Sequence, residues 1–197
     1  MEHPVSGQRH VPDRPPLLAV GIMIWLGSEL MFFSGLFAAY FTIRAHALVW
    51  PPSGTKLDLL QAGIFSIVLL ASSPTFQMGV WAEERGDRRK ARIWIVVSFL
   101  MGLAFMANTL YEWHGFLGQG QSPSTNAYWS LFYILTGVHG LHVTLGLVAM
   151  LFLLGRMKGP AGDPGEVNVL QGVGYYWHFV DFMWIGIFSC LFLLKTG

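Results

Sequence analysis

Charge is what this sequence has least of. Only 12% of its 197 residues are Asp, Glu, Lys or Arg, against about 25% in ordinary soluble proteins. That is too little to coat a water-facing surface, and it excludes a disordered chain and argues against a soluble globular domain. A net charge of +1 leaves no steering field and no basic patch for nucleic acid. Cysteine is nearly missing too. The single Cys190 excludes a disulfide framework within the chain and a four-cysteine zinc site. There is no phosphate-binding glycine loop, no nucleophile elbow, no HExxH and no CxxCH haem attachment. Repeats of fixed period and low-complexity tracts are absent as well.

What the chain does have is apolar length. Hydrophobic residues make up 53%, aromatic residues 15%, and the mean hydropathy is +0.50. A helix needs about 20 apolar residues to cross a hydrocarbon layer of about 30 Å. Five runs meet that need, at about 17–43, 58–82, 93–113, 127–154 and 170–194. Lipid offers the backbone no hydrogen-bond partners, so runs of this length are helices. The expected fold is all-α, an integral membrane bundle of five transmembrane helices over residues 17–197, preceded by a polar tail at 1–16. The first run lacks a small-residue cleavage site and is too long for a signal peptide. Nine of the ten prolines fall outside the runs. The tenth, Pro74, is expected to kink the second helix.

Basic residues set the orientation. Arg9, Arg14, Arg85, Arg88, Arg89, Lys90, Arg92, Arg156 and Lys158 fall on the N-terminal side, and only Arg44, Lys56 and Lys195 on the other. This places the N-terminus in the cytoplasm and the C-terminus outside. The Glu83–Arg92 segment reads as a solvated loop that fixes this topology.

Polar groups inside the runs are the candidate functional residues, because a charge at a helix centre costs about 2.5–3.5 kcal/mol on insertion scales. Glu29 lies in the first run and reads as a proton relay, an ion site or a contact that senses a lipid head group, or as a neutral acid hydrogen-bonded to a neighbouring helix. His178 and Asp181 are three residues apart and share a helix face. They read as a proton-accepting pair or as a polar clasp; an interfacial location is the further alternative, with Tyr175, Tyr176 and Trp177 as belt aromatics. His139 and His142 lie one turn apart, but a metal needs further ligands, so helix–helix hydrogen bonding is the expected use. Glu112 closes the third run near the outer interface. Small residues four apart (Ser34 and Ala38, Gly35 and Ala39, Gly186 and Cys190) are expected at close helix contacts, with Cys190 a buried apolar residue. No metal site and no catalytic site is expected in this chain.

Four stretches carry a family resemblance. They are Ser28-Glu29-Leu30-Met31-Phe32-Phe33, Tyr111-Glu112-Trp113, Thr136-Gly137-Val138-His139-Gly140-Leu141-His142-Val143 and Tyr176-Trp177-His178-Phe179-Val180-Asp181. In this order and spacing the chain resembles subunit III of the haem–copper terminal oxidases, most closely the short actinobacterial form of aa3-type cytochrome c oxidases. Val138 departs from the family's usual Phe. The resemblance implies an accessory subunit of an enzyme that reduces oxygen to water and translocates protons in aerobic respiration. It implies that haem a, haem a3 and copper reside in partner subunits I and II, and that this chain packs on subunit I in a bacterial plasma membrane. It assigns Glu29 to the helix lining a phospholipid cleft that supports proton uptake. It makes His139, His142, His178, Asp181 and Glu112 internal polar contacts. Longer relatives have seven helices, so here one cleft wall is missing or supplied by another chain. Membership of a cytochrome bc supercomplex is left open.

Other classes compete. The subunit of a quinol oxidase, or a relative associated with nitric oxide reductase, shares the five-helix form. A stand-alone transporter finds support in Glu29 and Asp181, but paired broken helices and an inverted repeat are lacking. An intramembrane enzyme would need Ser72, Ser73 or Ser189 beside a histidine as nucleophile and base.

Overall fold

The computed structural model describes residues 17–52, 57–157 and 161–194. The tail at 1–16 therefore lies outside the described residues, as do Arg9, Arg14, Lys56, Lys158 and Lys195 of the orientation argument. Five helices follow one another: α1 (Leu17–His46), α2 (Leu59–Glu84), α3 (Arg88–Gly118), α4 (Ala127–Arg156) and α5 (Pro164–Phe188). A π-helical turn, Ser189–Leu193, prolongs α5. No strand occurs among the described residues. All five helices are long and apolar enough to span a bilayer.

The helices outrun the apolar runs because capping signals, not hydropathy, decide where they start. Asp58 accepts from Leu60 N and Gln61 N at the head of α2, and Asn126 from Trp129 N at the head of α4. Asp87 caps α3 and Asp163 caps α5. These caps satisfy amides that would otherwise lack partners. Helix α5 begins six residues before the expected 170, since Pro164 occupies its first position. Proline's missing N–H costs nothing there, so Pro164 is a helix starter and not an interhelical residue. At the other ends, Gly86 and Gly120 adopt φ of 77°. Each closes a helix with a six-to-one bond, Asp87 N to Ala82 O and Gln121 N to Phe116 O (both 2.9 Å). The α-helical hydrogen bonding of α2 runs on past Pro74.

Helix α5 is the hub, and packs on α1, α2 and α4. Trp177 lies at its centre, fully buried. Its ring lies against Gly102 of α3 and Gly146 of α4, where an added Cβ would come within 2.9 Å and 2.6 Å of ring carbons. Its Nε1–H donates to Ser72 Oγ of α2 (2.8 Å). This corrects the belt assignment: Trp177 and Tyr176 are core residues, and only Tyr175 is exposed. Two tyrosines then hold the π-helical turn. Tyr40 of α1 donates to Cys190 O (2.5 Å) and Tyr128 of α4 to Leu191 O (3.4 Å).

Helix α1 is the outlier. Only 6% of its most apolar stretch is buried, against 56% in the α5 stretch. Ser34, Gly35, Ala38 and Ala39 face outward and nothing lies within 4 Å of a Cβ built on Gly35, so these small residues make no close contact within the chain. Gly186 does: a Cβ added there would come within 2.9 Å of the Phe37 ring of α1.

The Glu83–Arg92 segment is not the solvated loop expected. Helices α2 and α3 take all but Arg85–Asp87 of it, and Glu83 is 1% exposed. Its carboxylate accepts from Arg88 (2.5 Å) and from Gly162 N of the α4–α5 loop (3.1 Å). Arg92 donates to Met157 O, and Gln171 Nε2 to Glu84 Oε1 (2.8 Å). The charged turn thus ties both loops at this end together. In the turn itself, bonds from Lys90 hold the Asp87 carboxyl below its ordinary pKa.

Candidate functional site: two carboxyl–imidazole pairs within the membrane

Two separate groups of polar side chains cross helix–helix contacts. The first joins α1 to α4. Glu29 Oε1 accepts from Trp25 Nε1–H (3.1 Å), one helical turn earlier. Glu29 Oε2 lies 3.2 Å from His142 Nε2. The other ring nitrogen, Nδ1, is 2.8 Å from Val138 O. A carbonyl oxygen only accepts, so Nδ1 carries a hydrogen and the tautomer is fixed. Glu29 therefore has a hydrogen-bonding partner on the neighbouring helix, which offsets part of the cost of a carboxyl at that depth. Tyr176 braces this group, stacking on Trp25 with centroids 5.1 Å apart and donating to His142 O (2.9 Å).

The second group joins α5 to α2. Asp181 and His178 do share a face, but they meet through Ser73 of α2 and not directly. Ser73 Oγ is 2.5 Å from Asp181 Oδ2 and 2.9 Å from His178 Nδ1. His178 Nε2 faces Gln77 Oε1 at 3.4 Å. With an amide oxygen on that side, Nε2 carries the hydrogen. Ser73 Oγ–H donates to Asp181 Oδ2, and the same hydroxyl oxygen stands against His178 Nδ1. The expected direct clasp is corrected to a hydroxyl-bridged one, since two side chains three residues apart point along the helix face to its neighbour, where Ser73 receives both. Ser73 beside a histidine and an aspartate is not arranged as a hydrolase triad either, because the aspartate contacts the serine and not the imidazole.

The remaining candidates are apart from both groups. His139 is 1% exposed, and neither ring nitrogen has a hydrogen-bond partner among the described residues. It lies between Phe105 and Trp184, ring centroids 6.0 and 4.9 Å away. The expected polar contact is therefore corrected to an aromatic one: a 60° turn of the helix away from His142 faces α3 and α5, not α1. Glu112 accepts from Asn108 Nδ2 (3.3 Å), whose Oδ1 accepts from Gln61 Nε2 of α2 (2.6 Å). No three His, Cys, Asp or Glu side chains converge on one point among the described residues. Sequence reasoning missed Gln77 and the bridging role of Ser73. The signal lay in the hydroxyl run Ser72-Ser73-Pro74-Thr75 within an apolar helix.

Membrane-length helices joined in their interior by polar side-chain contacts make this a polytopic membrane protein of the helical-bundle class. The family model described as cytochrome c oxidase subunit III matches residues 2–195. A probable cytochrome c oxidase subunit 3 of Mycobacterium tuberculosis H37Rv is 47% identical over 192 residues, covering 97% of this chain and 95% of that one. The namesake from Nocardia farcinica is 48% identical with the same coverage. A cytochrome c oxidase subunit 3 of Thermostichus vulcanus is 35% identical over 190 residues, covering 94% of this chain and 91% of its own. The chain belongs to the cytochrome c oxidase subunit III family.

Proposed function

We propose that this chain is the accessory subunit III of an aa3-type cytochrome c oxidase. In this reading it packs on subunit I of a proton-translocating oxidoreductase in a bacterial plasma membrane, N-terminus in the cytoplasm. Haem a, haem a3 and copper belong to partner subunits. The observation that carries the reading is the family match across nearly the whole chain, 2–195. Names of relatives that specify cytochrome c favour that donor over a quinol. The basic residues of the α2–α3 turn favour the stated orientation.

Within the complex, the Glu29–His142 pair holds one exchangeable proton at an α1 surface where phospholipid has access, and supports proton uptake by its neighbour. Asp181, Ser73, His178 and Gln77 hold the bundle together, as do Glu112 and its amide partners. Solubilisation in mild detergent, pull-down of this chain and a visible spectrum test the assignment. Haem a bands travel with it in stoichiometric amount; a colourless isolated protein refutes it. Glu29→Gln then separates proton support from packing. The expected result is an assembled oxidase with full haem content and a lower proton yield or a shorter catalytic lifetime. Unchanged rate, yield and lifetime assign Glu29 to packing alone.

A further inference from the structure

We infer that the recess between the end of α2 and the start of α3 binds one phosphate-bearing anion, the head group of an acidic phospholipid in the leaflet on the N-terminal side. The inference stands apart from the subunit assignment and needs only that the helices cross a bilayer. Met78, Trp81, Arg85, Asp87, Lys90 and Trp94 border a space of about 360 Å³, within the size range of ligand sites. The cations of the charged turn divide into two sets. Arg88 is committed to Glu83, and Arg92 to Met157 O. Arg85 and Lys90 are exposed and border the recess. Lys90 is paired with Asp87 (2.9 Å), whereas the Arg85 side chain has no acceptor among the described residues. Two cations against one carboxylate leave a positive lining. A guanidinium is also the side chain best shaped to take two phosphate oxygens at once.

The indoles decide between a lipid and free phosphate. Trp81 lies four residues before Arg85 on α2, and Trp94 four after Lys90 on α3. Each therefore shares a face with its cation and sits about 6 Å deeper along the helix. One turn beyond Trp81 is Met78, also exposed. The recess is thus graded from charge to indole to apolar side chain. That order matches a lipid's phosphate, glycerol ester and acyl chain, and tryptophan belongs at the head-group level. The N–H groups of Trp25, Trp50, Trp177 and Trp184 donate within the chain. Those of Trp81 and Trp94 have no acceptor among the described residues, which leaves two donors for phosphate or ester oxygens. The recess between α1, α4 and α5 is bordered by no charged side chain and has nothing to select a head group. Basic pockets between transmembrane helices on the cytoplasmic side take acidic head groups in general.

A photoactivatable lipid tests this. The intact complex carrying this chain is reconstituted into phosphatidylcholine vesicles with a trace of phosphatidylglycerol that bears a diazirine at the glycerol end of one acyl chain. The same label on phosphatidylcholine is the control, and peptide mass spectrometry maps the adducts. Phosphatidylglycerol should label the 78–94 segment about 5-fold or more above phosphatidylcholine, the factor for one basic residue at an acidic surface. Arg85→Gln should lower that labelling about 5-fold, while Arg88, Arg89 and Arg92 remain to hold the orientation. Asp87→Asn should raise it, up to about 5-fold, because Lys90 is released while Asn still caps α3. A merely structural role for the turn would not give these two variants opposite signs. Equal labelling by both lipids, no adduct in 78–94, or a fall with Asp87→Asn overturns the inference. Displacement of the label by inorganic phosphate, but not by chloride at equal ionic strength, assigns the recess to free phosphate and overturns the choice of a lipid.

Discussion

The two carboxyl–imidazole pairs use one chemical device in unlike settings. Glu29 and His142 meet directly on α1, the least buried helix, and the outer nitrogen of His142 is held by a backbone carbonyl that no substitution can delete. Asp181 and His178 meet through Ser73 on the most buried helix, and the outer nitrogen is held by the side chain of Gln77. The first pair is robust in its tautomer and loose in its packing. The second is tightly packed and depends on two removable side chains. Burial and polar precision are therefore separate properties in this bundle, and a carboxyl need not be deep in the protein to be well positioned.

The comparison can be broken from its strong side first. Trp177→Ala empties the space between Gly102 and Gly146, and should lower bundle stability by about 4 kcal/mol, read as the largest fall in thermal midpoint in mild detergent. Ser73→Ala removes the bridge and leaves Asp181 and His178 Nδ1 both unpaired, for about 2 kcal/mol. Asp181→Ala should cost less than Ser73→Ala, because the freed Ser73 hydroxyl turns to His178 Nδ1 and keeps it satisfied. A ranking with Asp181→Ala the more damaging would mean that the aspartate holds the imidazole by itself. On the α1 side, Glu29→Gln should cost about 1 kcal/mol and show as faster amide hydrogen exchange confined to α1. Tyr40→Phe, which frees Cys190 O and the Trp50 Nε1–H that donates to the Tyr40 hydroxyl (3.1 Å), should cost about 0.6 kcal/mol, visible mainly as fraying of the turn after α5.

How far the sequence foretold these features depends on the kind of force involved. Hydropathy revealed all five spans among the described residues, because insertion depends on summed transfer energy. Helix starts were less legible where a cap lay ahead of a polar first turn, as at Asp163-Pro164 with Glu166 and Asn168 following. Glu29, His142, His178 and Asp181 stood out as polar residues in apolar runs, and they do make contacts. Their partners did not stand out. Ser73 is a common residue in a common setting, and Val138 acts through its backbone. Spacing tells which residues share a face; it cannot tell which neighbour that face meets. Glu83 escaped for the opposite reason. Among so many charges it read as solvated, while a folded loop closed over it.

The seating of α1 bears on how the protein is made. Helix α1 leaves the ribosome first, yet it packs on α5 and touches α4, the last helices to emerge; Glu29 and its imidazole partner are 113 residues apart in the chain. The α2–α3 hairpin joins sequence neighbours across a three-residue turn and is the most extensive helix pairing in the bundle. Synthesis thus yields a hairpin early and a solitary first rod, which wait side by side in the bilayer until the C-terminal pair arrives to close the set. A nascent chain halted before α5 should keep the hairpin and lose the first rod to the surrounding lipid.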